Sequence, residues 1–168
     1  YEKCEREAKI ASYLADVFEV KEKELLQKAV MLSKADLMSE MVYEFTELQG
    51  LMGYYYAKIA KENDLVSLSL KEQYLPTGED SELPSNIFSS IVALSNKLDN
   101  LMALFSVGKI PTGSKDPFGL RRAAAGIVKI AMEHKLSIDL SKIIDELAHN
   151  YKNLDKKVLI EFFNERLF

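Results

Sequence analysis

The chain has 168 residues, of which 48% are hydrophobic and 29% are charged, and its formal net charge at pH 7 is −4. This composition fits one globular domain with a sizeable core. The acidic balance excludes a protein that coats nucleic acid through bulk positive charge, so any RNA contact needs a local basic patch. Cys4 is the only cysteine and cannot form an internal disulfide, so we expect a reducing compartment, the cytoplasm. No apolar run reaches the ~20 residues that span a bilayer, so no membrane contact is expected.

Apolar residues recur at three- and four-residue spacings along nearly the whole chain, and no period-two strand is evident. The sequence therefore predicts an all-α fold, a single helical bundle of about eight helices over residues 1–168. Pro76, Gly78 and Pro84 predict one extended acidic loop. The chain begins with Tyr1 and its last helix runs to the final residue, so we expect a piece of a longer polypeptide with a truncated last helix. The helices are predicted at about 5–18, 22–45, 47–61, 64–74, 87–108, 117–134, 139–151 and 155–168.

The segment 112–124 combines a turn, a helix start and three cations. Asp116 is predicted to cap the helix and Pro117 to occupy its first position. Lys115, Arg121 and Arg122 crowd positive charge at a helix N-terminus, which is unfavourable unless an anion binds or carboxylates lie close. Two interpretations stay open. The cations contact phosphates, or they brace the fold by pairing with carboxylates such as those of Asp116, Glu133 or the acidic loop.

Other signatures of chemistry are missing from the sequence. No Cys/His cluster has zinc-ligand spacing, no phosphate-binding glycine loop is present, and no serine has an evident base. We therefore predict no catalytic residue and no metal ligand set. The run of three tyrosines at 54–56 could stack on bases, but on a helix its members point about 100° apart. Core and rim packing is the favoured interpretation for that run.

Four ordered motifs carry a family resemblance. They are KADLMSEMVYEFTELQGLMG at 34–53, EQYLP at 72–76, ALSNKLDNL at 93–101 and PTGSKDPFGLRRAA at 111–124. Together they resemble the beta subunit of bacterial tetrameric glycyl-tRNA synthetase. The resemblance implies an internal fragment of a class II glycine-tRNA ligase subunit that binds glycine tRNA and assembles with an alpha subunit. It also implies that ATP and magnesium act in the alpha subunit, that this fragment holds no cofactor, and that it is inactive alone.

The same region resembles a degenerate HD domain, the helical fold of metal-dependent phosphohydrolases. The His-Asp pair position reads Ala35-Asp36, the distant aspartate matches Asp99, and the first-helix stretch 6–9 has no histidine. An active site of this kind needs imidazoles together with carboxylates to hold its metals. We therefore expect lost hydrolase activity, with a residual metal-dependent phosphohydrolase as the remote alternative.

The two surviving aspartates have a structural interpretation as well. Asp36 and Asp99 are expected to pair with neighbouring cations such as Lys34 and Lys97. A weak magnesium site is the alternative, because that ion accepts one or two carboxylates together with water.

Two functional hypotheses follow. In the first, the chain is an accessory module that contacts glycine tRNA through Lys115, Arg121 and Arg122. In the second, it is an architectural interface between the alpha subunit and the remainder of the beta subunit, without direct RNA contact. The second rests on apolar residues expected to be exposed at the C-terminal end. These are Phe162, Phe163, Leu167 and Phe168.

Overall fold

The structure is a computed structural model that describes residues 1–167, except for the side chain of Leu167. Within these residues it contains nine α-helices and three short 3₁₀ turns and no strand, which confirms the predicted all-α class. Contacts divide the chain into two compact units, Tyr1–Asn96 and Lys97–Phe168. None of the helices in the described part is long and apolar enough to cross a membrane.

Unit 1 contains five helices and the first part of a sixth. Its core is built from apolar side chains that are almost completely buried, among them Ile10, Leu14, Leu26 and Val66. The amphipathic spacing of these residues turns one face of each helix inward. The elements are α1 (Glu2–Val17), α2 (Lys23–Leu32), α3 (Glu40–Glu44), α4 (Leu51–Ile59), α5 (Asp64–Glu72) and the start of α6 (Ile87–Ser106), with 3₁₀ turns at Ala35–Met38 and Thr46–Leu48.

The single helix predicted over 22–45 is wrong, because the chain breaks after α2. The Gln73 side-chain amide, from the end of α5, donates a 2.7 Å hydrogen bond to the carbonyl of Ser33. That carbonyl is consequently held by a side chain 40 residues away in sequence. A new helix, α3, then begins after Ser39, whose hydroxyl accepts a 3.2 Å hydrogen bond from the amide of Val42. The predicted helix over 47–61 is shortened for a local reason: α4 begins at Leu51, because Gly50 before it has a φ of +83°, outside the helical region.

A buried carboxylate ties together the two ends of the acidic loop 76–84. Glu72 is 6% exposed. Its Oε2 accepts a 2.8 Å hydrogen bond from the amide of Ser85, and its Oε1 accepts a 2.7 Å bond from the Ser85 hydroxyl. Charge-assisted hydrogen bonds of this length are the stronger ones in proteins. The loop therefore starts and ends at a fixed point of unit 1.

Unit 2 contains the end of α6 and three further helices. An aromatic cluster stabilises its core: the rings of Phe105 and Phe162 meet edge to face with centroids 5.1 Å apart, and those of Phe162 and Phe163 lie 6.5 Å apart. Such pairs add to the free energy gained by burying their area. The elements are α7 (Leu120–Glu133), α8 (Leu140–Leu147), a 3₁₀ turn (Ala148–Asn150) and α9 (Lys156–Leu167).

The expectation that Phe162 and Phe163 form a bare apolar surface is wrong. Phe162 is 6% exposed and Phe163 is 1% exposed, because α9 packs against α7 and α8 and turns both rings into the core of unit 2. The Leu167 side chain and Phe168, named with them, lie outside the described residues.

Candidate functional site

The loop that leads from α6 into α7 carries the predicted cations. The expectation that Asp116 and Pro117 are the N-cap residue and the first residue of this helix is wrong, because α7 begins at Leu120 and Gly119 is its N-cap residue. Gly119 has a φ of +66°, in the left-handed region, and its amide donates a 3.1 Å hydrogen bond to the Asp116 carbonyl. A tight turn therefore replaces the first helical residues, and glycine is the residue that adopts this backbone conformation without strain.

The Asp116 side chain nevertheless caps the helix from a distance. Both of its carboxylate oxygens lie 3.2 Å from the Arg121 amide, and Oδ2 lies 3.4 Å from the Arg122 amide. A carboxylate at this position is favoured by the partial positive charge of the helix N-terminus. The side chain is 16% exposed, so this anion points toward the helix and away from solvent.

The structure places the three predicted cations together at the start of α7, in different surroundings. Arg121 Nη1 donates a 2.8 Å hydrogen bond to the Lys115 carbonyl, so this arginine braces the loop. Arg122 lies over Gly119 with its Nε 3.8 Å from Asp116 Oδ2, and its side chain remains 68% exposed. Lys115 is exposed, and no partner for its ammonium is found within residues 1–167. Two of the three charges are thus available at the surface.

The loop also forms a cleft that sequence reasoning missed. Its volume is about 290 Å³. Phe118 lines it with 54% of the residue exposed, and Lys109 stands in the same lining as Lys115. The sequence placed Phe118 inside a helix, where periodicity gave no reason to expect an exposed ring. Its position between a Pro and a Gly in a turn was the available signal. The remaining lining residues are Gly108, Ile110, Pro111, Thr112 and Pro117.

The tyrosine run is less buried than expected. Tyr55 is 51% exposed and Tyr56 is 40% exposed, so the core interpretation is wrong for both. Tyr54 is half-buried, meets the ring of Tyr55 edge to face at 5.3 Å, and lies below the ammonium groups of Lys71 and Lys58 at 5.5 and 5.9 Å. Tyr54 fits the rim packing that was predicted.

Asp36 is 3% exposed and has backbone partners instead of the predicted Lys34 ion pair. Its Oδ2 accepts hydrogen bonds from the amides of Gly50 at 2.7 Å and Gly53 at 3.1 Å. The carboxylate thus satisfies donors at the N-terminus of α4. Oδ1 has no hydrogen-bond partner within the described residues, and Asp36 lines a cavity of about 220 Å³ together with Ala35 and Gly53.

Lys34 contacts other groups than the predicted Asp36 carboxylate. Its ammonium donates to Gln73 Oε1, lies 4.0 Å from Glu7 Oε1 and stands 4.8 Å from the centroid of the Tyr74 ring. Burial is the largest effect on its pKa and lowers it, while Glu7 opposes that change. Burial also raises the pKa of Tyr74 to about 12. Glu7 belongs to the first-helix stretch without histidine, so a Lys–Glu contact occupies that part of unit 1.

Asp99 belongs to unit 2 and is completely buried. Its Oδ1 accepts a 2.7 Å hydrogen bond from the Tyr151 hydroxyl. Its pairing with Lys97 stays a prediction. Within residues 1–167, no three His, Cys, Asp or Glu side chains lie close enough together to hold a metal ion.

The fold and the site define an all-α chain that presents a cationic loop beside an exposed aromatic ring. The chain belongs to the glycyl-tRNA synthetase beta subunit family, whose model matches residues 1–168. It is 53% identical over 175 residues to the glycine–tRNA ligase beta subunit of Helicobacter pylori strain G27, covering 98% of this chain and 25% of that protein. It is 46% identical over 150 residues to that of Coxiella burnetii strain RSA 493, covering 89% and 22%. The chain thus spans about a quarter of the length of these relatives.

Proposed function

We propose that this chain is a tRNA-contacting part of a glycine-tRNA ligase beta subunit. It supports the ATP-dependent attachment of glycine to its tRNA by the assembled cytoplasmic enzyme. Family membership over the whole chain supports this role. In this proposal the alpha subunit supplies the sites for ATP and magnesium, and residues 1–168 contribute binding without a cofactor of their own.

The proposal rests on the exposure of two cations at the start of α7. Lys115 and Arg122 are exposed, and the nearby Asp116 carboxylate is occupied by backbone amides of the helix. Arg122 keeps only a 3.8 Å approach to Asp116, with 68% of its side chain exposed. Exposed ion pairs of this kind contribute little to stability, so both side chains can bind a polyanion with little loss of folding stability.

The chemistry suited to this loop is the neutralisation of RNA phosphates. Arginine binds a phosphate through two parallel hydrogen bonds, and lysine binds it as a point charge. Arg121 has a supporting part, because its guanidinium holds the Lys115 carbonyl and so orients the loop. Phosphate contacts fix position without reading sequence, so base identity is recognised elsewhere.

Salt-dependent binding tests the proposal most directly. We expect Lys115→Ala with Arg122→Ala, in the full subunit assembled with its alpha partner, to weaken binding of glycine tRNA. Each phosphate contact contributes roughly 0.7 to 0.9 to the slope of log K against log salt concentration, so the double variant should reduce that slope by about 1.5. Arg121 is left intact because removing its brace would disturb the loop.

Lys142→Ala is the matched control, because Lys142 is an exposed cation of the same unit on α8. It should leave affinity and slope unchanged. The proposal is wrong if the double variant binds glycine tRNA with the parental affinity and salt slope while circular dichroism shows an intact fold.

A second candidate function is protein contact, and a surface of unit 1 favours it. Residues 37–45 carry exposed apolar side chains, which we call the 37–45 surface; Met38 is 90% exposed and Tyr43 is 81% exposed. Glu40, Glu44 and Glu47 lie in or beside it, so its charge repels RNA. An exposed apolar patch with a charged rim is typical of protein interfaces. Its other apolar members are Leu37, Met41 and Phe45.

We assign this surface to the remainder of the same subunit, since relatives are about four times longer than this chain. Hydrogen exchange of peptides covering 37–45 tests the assignment. Protection in the isolated full-length subunit, relative to the 168-residue chain, is expected. Protection that develops only when the alpha subunit is added would assign the surface to the alpha subunit instead.

A further inference from the structure

We propose that the cleft in the α6–α7 loop binds one unpaired nucleotide of the tRNA, with the base stacked on Phe118 and the flanking phosphates on Lys109 and Lys115. This inference rests on the proposed tRNA contact and goes further, because it names the form of RNA that this loop recognises: a single strand or an end, as opposed to a duplex.

The walls of the cleft have the character of a stacking site. Phe118 is 54% exposed and Ile110 is 39% exposed, although both are apolar and both line the cleft. Pro117 precedes the ring and restricts the backbone beside it. A ring held in a turn with an open face gives an aromatic platform on which a base can stack, whatever its sequence.

The charge of the lining selects an anionic ligand. Lys109 and Lys115 both line the cleft and both are exposed, whereas no carboxylate is among the residues that line it. The one acidic side chain of the loop, Asp116, is directed to the amides of Arg121 and Arg122. The cleft therefore combines an apolar wall with two cations, which is the pattern of single-stranded nucleic-acid sites.

The size of the cleft distinguishes an unpaired nucleotide from a duplex. A volume of about 290 Å³ is at the lower end for small-molecule sites, so it accommodates one flat ring system. Bases within an A-form helix are stacked on each other and cannot lie on Phe118. An acidic peptide would satisfy the lysines but has no flat partner for the ring.

The test compares two RNA probes on the full subunit assembled with its alpha partner. One probe is an eight-nucleotide single strand carrying 2-aminopurine, and the other is a blunt-ended RNA duplex without unpaired nucleotides. Phe118→Leu keeps an apolar side chain and removes the ring. We expect it to weaken binding of the single strand by about 5-fold to about 100-fold and to abolish the stacking-induced quenching of 2-aminopurine. Binding of the duplex and the salt slope of both probes should stay unchanged.

Phe118→Tyr keeps a ring and should retain the quenching. Tyr55→Leu removes a comparably exposed ring from unit 1 and serves as the matched control. The inference is overturned if Phe118→Leu leaves the single strand and its quenching unaltered, or if it weakens both probes equally. If Lys115→Ala with Arg122→Ala still weakens tRNA binding in that case, the proposed function stands and only the stacking site falls. If neither change matters, both fall.

Discussion

Removing the Asp36 carboxylate should loosen the start of α4. In the Asp36→Ala variant, the amides of Gly50 and Gly53 lose their common acceptor, Oδ2, at 2.7 and 3.1 Å. The site is buried, with Asp36 only 3% exposed, so bulk solvent does not replace the acceptor directly. In Asp36→Asn, by contrast, the amide oxygen can take the place of Oδ2. The new NH₂ group then occupies the position of Oδ1, which has no partner in the described part of the chain.

The magnitude follows from these two hydrogen bonds. Bonds to a charged group contribute about 1.5–3 kcal/mol each, which gives an upper limit of about 3–6 kcal/mol for Asp36→Ala. The adjoining cavity of about 220 Å³ can admit water, which returns part of the loss. We therefore expect local opening to become easier by about 2–4 kcal/mol in Asp36→Ala. Asp36→Asn should cost less, about 1 kcal/mol, because it keeps an acceptor for both amides and water in the same cavity can accept from its NH₂ group.

Hydrogen exchange measured by mass spectrometry on peptides covering 49–59 reports this opening. Exchange should accelerate between about 30-fold and about 700-fold in Asp36→Ala, and by about 5-fold in Asp36→Asn. Peptides of α8 in unit 2 are the internal control and should not change. Equal acceleration in the two variants would refute the reasoning, because it would assign the effect to charge alone. So would exchange in Asp36→Ala that stays within a few-fold of the parent.

Two further variants probe other buried polar groups. Burial lowers the pKa of Lys34 in the folded chain. Between that lowered pKa and 10.5, the unfolded chain therefore holds more protons than the folded chain. The free energy of unfolding should rise with pH in this range. Tyr74, with a pKa of about 12, opposes this rise in stability only above pH 10. Urea unfolding below about pH 10 should therefore show the rise, and Lys34→Met should remove the pH dependence. Tyr151→Phe deletes the 2.7 Å donor to buried Asp99 and should cost about 1–3 kcal/mol by urea denaturation, whereas an unchanged midpoint would show that this bond contributes nothing.

Helical spacing was sufficient to predict the all-α class and the positions of most helices. It could not predict where helices break when the cause is a distant partner. The break at Ser33 depends on Gln73, which approaches it only after α2 and α5 have packed together. The C-terminal rings illustrate the same limit. Phe162 and Phe163 follow each other on α9, and only the packing of α7, α8 and α9 decides that both are buried.

Some features of the candidate site could also be predicted from the sequence, whereas others depend on the fold. The charges at 115, 121 and 122 could be found from sequence, because a cluster of cations at a helix start is a local pattern. The start of α7 was predicted three residues too early, since Pro117 is acceptable both in a turn and as a first helical residue, and Gly119 decides between them. The exposure of Phe118 depends on that turn. The partner of Asp36 likewise depends on the approach of Gly50 and Gly53 from another element.

The hydrogen bonds between Glu72 and Ser85 make the 76–84 loop a suitable place to insert additional residues. Because a side chain of unit 1 holds both ends, the residues between them need not hold the ends together themselves. The entropy of closing a flexible loop grows only with the logarithm of its length, about 0.6 kcal/mol per doubling. A side chain added at Gly78 would also point into open space. An epitope or a fluorescent label could therefore enter near Gly78 with little disturbance, which gives a reporter on unit 1.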